Sequence, residues 1–352
     1  RDDPETFVFR AKGREERVTA TRASRTRHHK ITARPPPADL DMVHVLYASD
    51  AKNLDGLLLS MVSLARHAKN PQQCTIHVVV PAAVMPLAVR TADCFRRGLA
   101  KRPAVPAVRL HAVRPLPFTS DRGGAGFKSE SSRAATYVRW YMHEYLPSAP
   151  RVLWLDTDVI VKTDVSRLYR MHLPHGFAAA LDMAIGLQFG RRFAPVGVRR
   201  LYDRMTPKTY FNPGVVVVDL VRWKAEGIPA KLAAWLGETE QHLADMLPMI
   251  LHFDGGFDVL DGHWNVQGRG QPRLCKWPDD VVQSARILHW TCNECKPWHQ
   301  DRDSVCRESD GLVRRYAPKE EACRHLDDPA QVSMCEGDDG CRNYTASLDG
   351  DQ

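Results

Sequence analysis

The strongest constraint on this fold is an alternation. Between residues 41 and 161, short apolar runs trade places with longer stretches whose apolar side chains recur at helical spacing. Residues 43–48 read as a buried strand. Residues 54–67 read as a helix, with Leu57, Leu58, Met61, Leu64 and Ala65 on one face. Residues 76–80 follow as a strand stopped by Pro81, 84–99 as a helix and 105–113 as a strand. The order strand, helix, strand, helix predicts a mostly parallel sheet with helices on both faces. Further along, 132–145 reads as helix and 151–155 as strand. Residues 214–220 form the strongest β run through Val215, Val216, Val217 and Val218. Residues 229–235 and 240–251 read as helices, and 285–290 as the last strand. The chain has 352 residues, 43% hydrophobic and 26% charged, enough to bury one large α/β core or two small ones. No apolar run reaches the roughly 18 residues of a membrane span.

The flanks differ from this middle. Residues 1–40 are polar and basic and close on Pro35, Pro36 and Pro37. Nine Lys or Arg fall between Arg10 and Arg34, against two Glu. Such a stretch reads as a basic disordered stem or linker. Its aromatic-free basic run offers no stacking platform, so no nucleic-acid partner is expected. The chain opens on Arg1, and a membrane anchor is expected outside the sequence. Seven of the nine cysteines lie beyond residue 274, which predicts a Cys-rich extension over 300–352 in an oxidising compartment. Zinc is the rival, and Cys292 and Cys295 supply half of such a site. The sequence Asn343-Tyr344-Thr345 is a glycosylation acceptor pattern. The Gly-rich stretch 120–132 is either a mobile loop over a site or a plain surface loop.

Chemistry concentrates at Asp156-Thr157-Asp158, where two acids interrupt an apolar run. A buried carboxylate needs a partner. Residues i and i+2 of an extended chain point the same way, so the pair aims at one point and repels itself unless a cation intervenes. Hard oxygen ligands suit Mn²⁺ or Mg²⁺. The plain alternative is an acidic turn after a strand.

Four segments together carry a resemblance. They are Val43-His-Val-Leu-Tyr-Ala-Ser-Asp50; Ala135-Thr-Tyr-Val-Arg139 leading into Leu153-Trp-Leu-Asp-Thr-Asp158; Phe211-Asn-Pro-Gly-Val-Val-Val-Val-Asp-Leu220; and His289-Trp-Thr-Cys-Asn-Glu-Cys-Lys-Pro-Trp298. In this order they resemble glycosyltransferase family 8, the glycogenin and bacterial galactosyltransferase group. The resemblance implies the GT-A fold over 41–299, a UDP-sugar donor, Mn²⁺ or Mg²⁺, and transfer with retention to an acceptor hydroxyl of a glycan, glycoprotein or polysaccharide. It also implies a place in the secretory pathway, in the Golgi lumen. By the same resemblance Asp156, Asp158 and His289 hold the metal. Ala48, Asp50 and Asn53 hold the nucleotide, while Asn53 is equally a helix N-cap. Arg139, Thr157, Asn212 and Gly214 line the donor, and Lys296 takes the diphosphate.

Four positions depart from the family pattern. Pro213 replaces a small residue and removes an N–H. Cys292 stands where Gly is expected, and a Cys292–Cys295 disulfide would rebuild a tight loop. The stretch from His289 to Lys296 is one residue longer than usual. In the family's Asp-Gln-Asp, the first acid falls on Leu243 here, leaving Asp245 as the catalytic candidate with Lys296. Trp264-Asn265 resembles an acceptor-side pair, with core packing as the plain role of Trp264. Two other classes compete. One is a GT-A protein that binds the donor without turning it over. The other is a metal-dependent phosphohydrolase with Asp156 as nucleophile, although such enzymes place the motif on their first strand.

Overall fold

In a computed structural model, the residues described are 40–118, 135–182, 190–192, 194–206, 209–240, 242–268, 279–291, 296, 298, 315–317, 319 and 323, with the backbone of 6–11 and 14–19. Strands β1 (Thr6–Ala11) and β2 (Arg14–Thr19) pair as an antiparallel hairpin inside the stretch expected to be disordered. The glycine-rich stretch 120–132, Cys292, Cys295 and Asn343 lie outside the described residues.

The predicted alternation forms the centre of the molecule. Strands β3 (Val43–Ala48), β4 (Cys74–Val80) and β5 (Ala107–Ala112) run parallel and are joined by helices α1 (Leu54–His67) and α2 (Met85–Gly98). Strand β6 (Arg151–Leu155) adds parallel to the other edge of β3. Beyond it lie β9 (Phe211–Asp219), β8 (Phe177–Leu181) and β10 (Asp258–Leu260), giving the order β10-β8-β9-β6-β3-β4-β5. Strand β9 is antiparallel to both neighbours, and the other pairs are parallel. Two short strands, β7 (Val159–Val161) and β11 (Ile287–His289), pair antiparallel in a sheet of their own.

Alternate side chains feed two apolar layers, one on each face. Val45 and Tyr47, Leu153 and Leu155, and Val215 and Val217 enter one layer with α1 and α2. Leu46, Val152, Trp154, Val216 and Val218 enter the other. The four valines of β9 are fully buried on both faces, which is why that run reads as continuous rather than alternating.

Three expectations change. Over the described residues 135–145 the expected helix is broken: a 3-10 turn at Val138–Trp140 precedes a short helix at Met142–Tyr145. The second predicted helix of 240–251 starts only at Met246, because Glu240, Leu243 and Ala244 adopt left-handed backbone with φ of 48°, 57° and 48°. The expected final strand is short, and it pairs with β7 rather than with the large sheet.

The chain leaves β3 toward β4 and β5, then returns to β6 on the opposite side of β3. This reversal is a topological switch point. Its crevice lies beyond the carboxyl ends of β3 and β6, where Ala48 to Asp50 and Asp156 emerge.

Candidate active site

Asp156 and Asp158 follow the carboxyl end of β6, as expected, but the chain there turns rather than running extended. They occupy the turn by which the chain leaves β6 and enters β7. Their convergence is imposed by bonds on each side. The Asp156 amide donates to the Gly214 carbonyl at 2.8 Å, and the Trp290 amide donates to the Asp158 carbonyl at 2.9 Å. Thr157 sits between them, half-buried.

Each carboxylate has cationic partners. Arg139 donates through one terminal nitrogen to Asp156 Oδ1 at 2.9 Å, and the Trp154 indole donates to the same oxygen at 2.7 Å. The Arg139 guanidinium lies over the Trp154 ring at 4.8 Å. Its other terminal nitrogen donates to the Pro213 carbonyl at 2.7 Å. Pro213 is tolerated in a central strand because the register with β8 breaks here: Ala179 pairs with Val216 and Ala180 with Asn212. The missing N–H falls in that gap, and the carbonyl holds Arg139.

Arg139 Nε also faces Asp245 Oδ2 at 3.3 Å, both groups deeply buried. Burial pushes the Asp245 carboxyl up to about 6 even though Arg139 opposes it; nearby Asp156 adds to the rise. Asp245 therefore stands behind Arg139. Leu243, at the position of the missing acid, is close enough that a Cβ on Gly190 would meet its Cδ1 at 3.2 Å.

Asp158 is buried, which alone would raise its pKa. Lys296 Nζ at 2.7 Å and His289 Nε2 at 3.1 Å outweigh that and hold it well below the usual carboxylate range. His289 Nε2 is 3.8 Å from Asp156 Oδ2. Asp156, Asp158 and His289 can each offer one ligand atom, all within 4.8 Å of one another. Two hard oxygens and an imidazole suit a small divalent cation with open positions for a substrate. Gly214 makes the convergence sterically feasible. A Cβ there would lie 2.1 Å from His289 Cε1 and 2.9 Å from Asp156 Oδ2. The close approach that glycine permits is thus to two ligand side chains.

Asn212 differs from expectation. Its Oδ1 already accepts from the Gly214 amide at 2.9 Å and from Asn265 Nδ2 at 3.1 Å, so only its NH₂ remains to meet a ligand. Asn265, considered from sequence as part of an acceptor-side pair, is buried and bonds to His289 Nδ1 at 2.9 Å. Trp264 is buried in the core as its plain reading had it, with Arg286 over its ring. Ala48, Asp50 and Asn53 lie at the carboxyl end of β3, and Asn53 Nδ2 donates to Asp50 Oδ1 at 2.7 Å. Asn53 occupies the N-cap position of α1 but makes no side-chain cap bond.

The structure thus joins Arg139, Asp156, Asp158, Asn212, Gly214, Asp245, His289 and Lys296 in one contact chain. Sequence reasoning missed the bonds of Asn265 and Trp154, since nothing in their spacing announces them.

Comparison with solved structures defines the class. The galactosyltransferase LgtC, solved with donor and acceptor sugar analogues, matches 79% of this chain and 98% of its own at TM-score 0.55 and 18% identity. Mouse xyloside xylosyltransferase 1 matches 72% of this chain and 99% of its own at TM-score 0.51 and 21% identity. The fold is therefore GT-A. Residues 44–302 match the family model "Glycosyl transferase family 8", and the chain belongs to that family. Among curated relatives, probable galacturonosyltransferase-like 2 of Arabidopsis thaliana is 24% identical over 73% of this chain and 76% of its own length. Human glycosyltransferase 8 domain-containing protein 1 is 28% identical over 49% of this chain and 52% of its own. The protein is a glycosyltransferase, and the phosphohydrolase reading falls.

Proposed function

We propose that the chain is a retaining, divalent-metal-dependent glycosyltransferase that moves a hexosyl or pentosyl group from a UDP-sugar to an acceptor hydroxyl. The observation that carries this reading is the convergence of Asp156, Asp158 and His289 at the switch-point crevice, with Gly214 cleared of any Cβ between them. These three would hold Mn²⁺ or Mg²⁺, which would supply positive charge to offset the negative charge growing on departing UDP. Lys296 brings an ammonium to Asp158 and stabilises the same leaving group. Arg139 is fixed by Pro213, Asp156 and Asp245, so it can meet the donor sugar without reorganising. Asn212 meets that sugar as a donor only. Ala48, Asp50 and Asn53 at the end of β3 hold the nucleotide, and Thr157 lines the donor between the two acids. The acceptor oxygen attacks from the face that UDP leaves. The new C–O bond replaces the bond to the diphosphate, whose oxygen takes the acceptor proton.

The Cys94–Cys323 disulfide supports an oxidising compartment, hence the secretory pathway and its Golgi lumen. Among the described residues, no helix is long and apolar enough to cross a membrane. The acceptor is a glycan, glycoprotein or polysaccharide.

Leu243, at the position of the family's first acid, favours a second reading in which donor is bound but not turned over. One experiment separates the two. UDP release is measured over a panel of UDP-galacturonate, UDP-galactose, UDP-glucose and UDP-xylose with Mn²⁺ or Mg²⁺, beside the D156A/D158A variant. Turnover of one donor, lost in the variant, is the expected result. Metal-dependent UDP binding without turnover establishes the second reading, and unchanged UDP binding in D156A/D158A sinks both.

A further inference from the structure

Deepening the metal-site reading just proposed, we infer that Asn265 is a positioning residue that fixes the tautomer of His289. The inference follows from the polarity of a four-member chain of hydrogen bonds. The Gly214 amide can only donate, and it lies 2.9 Å from the Asn212 side chain. The Asn212 atom there is therefore its oxygen. The same oxygen lies 3.1 Å from the Asn265 amide, and a second oxygen in that place would repel it. The Asn265 atom facing Asn212 is therefore nitrogen, and this nitrogen also reaches the Asn212 backbone carbonyl at 3.5 Å. That orientation turns the Asn265 oxygen to His289 Nδ1, at 2.9 Å. An oxygen acceptor requires a proton on Nδ1. With Nδ1 holding its proton, Nε2 is the nitrogen left to offer a lone pair to a cation, and it lies 3.1 Å from Asp158 Oδ1.

A backbone N–H on β9 thus decides, through two amides, which imidazole nitrogen is offered to a cation. All the side chains in the chain are buried: Asn212, Asn265 and His289 are 9%, 2% and 3% or less exposed. Water cannot readily substitute for a missing link there.

The test has two independent readouts. Metal-free wild-type protein with ¹⁵N-labelled histidine is examined by NMR at pH 8, with H289Q assigning the ring. The expected result is a proton resident on Nδ1; a bare Nδ1 overturns the proposal. Mn²⁺ affinity is then measured by electron paramagnetic resonance for wild type, N265L and N265D. N265L removes the acceptor and is expected to weaken Mn²⁺ by roughly 10- to 100-fold. N265D keeps an oxygen toward Nδ1 but sets a second one against the Asn212 oxygen, so it is expected to bind Mn²⁺ more weakly than wild type and more tightly than N265L. Equal affinity in N265L and wild type, with both variants folded by circular dichroism, also overturns it. If wild type binds neither Mn²⁺ nor Mg²⁺, the metal reading fails, while the NMR result still judges the tautomer. Should N265L fail to fold, the wild-type spectrum and N265D decide.

Discussion

At Gly214 one added carbon meets two ligand groups at once. A methyl would lie 2.1 Å from the His289 ring and 2.9 Å from Asp156, inside any real contact distance. Both groups are anchored, His289 through Asn265 and Asp156 through Arg139 and Trp154, so neither yields freely. G214A is therefore expected to lose Mn²⁺ affinity on the order of 100-fold, with stability falling by about 1–3 kcal/mol for overpacking. Calorimetric Mn²⁺ titration beside a thermal melt checks this. Wild-type affinity in G214A would mean that the triad is looser than its bonds imply. At this scale the sequence was informative where a motif carried the signal: Asp156, Asp158, Arg139, His289 and Lys296 all meet. It was silent on Asn265, which lies 24 residues from His289 and 53 from Asn212. Amide pairing leaves no pattern in a single chain.

Helix α1 emerged over the predicted residues because its apolar spacing is regular and Leu54 starts it cleanly. The stretch 240–245 did not, since three non-glycine residues in left-handed backbone are a tertiary result and no local propensity announces them. Strands β3, β4 and β5 carry a feature that their apolar pattern hid: His44, His77 and His111 form a ladder, with ring nitrogens 3.1 Å apart at each step. Burial first, then the neighbouring rings and Arg109, pushes His77 down to about 2. Burial, then Arg109 and Arg114, pushes His111 down to about 4. Between pH 6.5 and 4 the unfolded chain protonates both rings while the folded chain refuses. Stability attributable to the ladder therefore falls as pH falls, by about 1.4 kcal/mol per pH unit for each ring. Asp245, raised to about 6, works in the opposite sense between pH 6 and 4, because its protonated form is the one the fold prefers. The informative quantity is a difference. Urea unfolding of wild type and H77Q across pH 4.5–6.5 is expected to show a slope shallower by about one proton in the variant. Parallel slopes would mean that the ladder is open to water.

At the scale of the molecule, the α1–α2 face of the sheet depends on chain that returns long after the core is complete. Trp298 packs so closely on α1 that a Cβ at Gly56 would meet its indole at 2.7 Å. Tyr316 is buried beside His67, with the Arg66 guanidinium 5.5 Å over its ring. Cys323 is fully buried and bonded to Cys94 of α2 across 229 residues of sequence. From sequence, the clustering of cysteines beyond residue 274 pointed to bridges within the C-terminal part. The bridge found among the described residues joins that part to a helix of the core. Pairing follows proximity in the fold, and spacing along the chain does not encode it. A crosslink closing so long a loop restricts the unfolded chain strongly, and native bridges of this kind contribute about 2–5 kcal/mol. The substitution C94S/C323S is expected to lower the urea midpoint correspondingly. Dithiothreitol should do the same to wild type and nothing further to the variant. UDP release at low urea should persist, because the bonds described around Asp156 and Asp158 run to Arg139, Trp154, Gly214, His289, Trp290 and Lys296. If reductant leaves the wild-type midpoint in place, the late segment is held by packing such as that of Trp298 and Tyr316 rather than by the bridge. If reductant abolishes UDP release before unfolding begins, the bridge is coupled to the crevice by a route that the contacts around it do not contain.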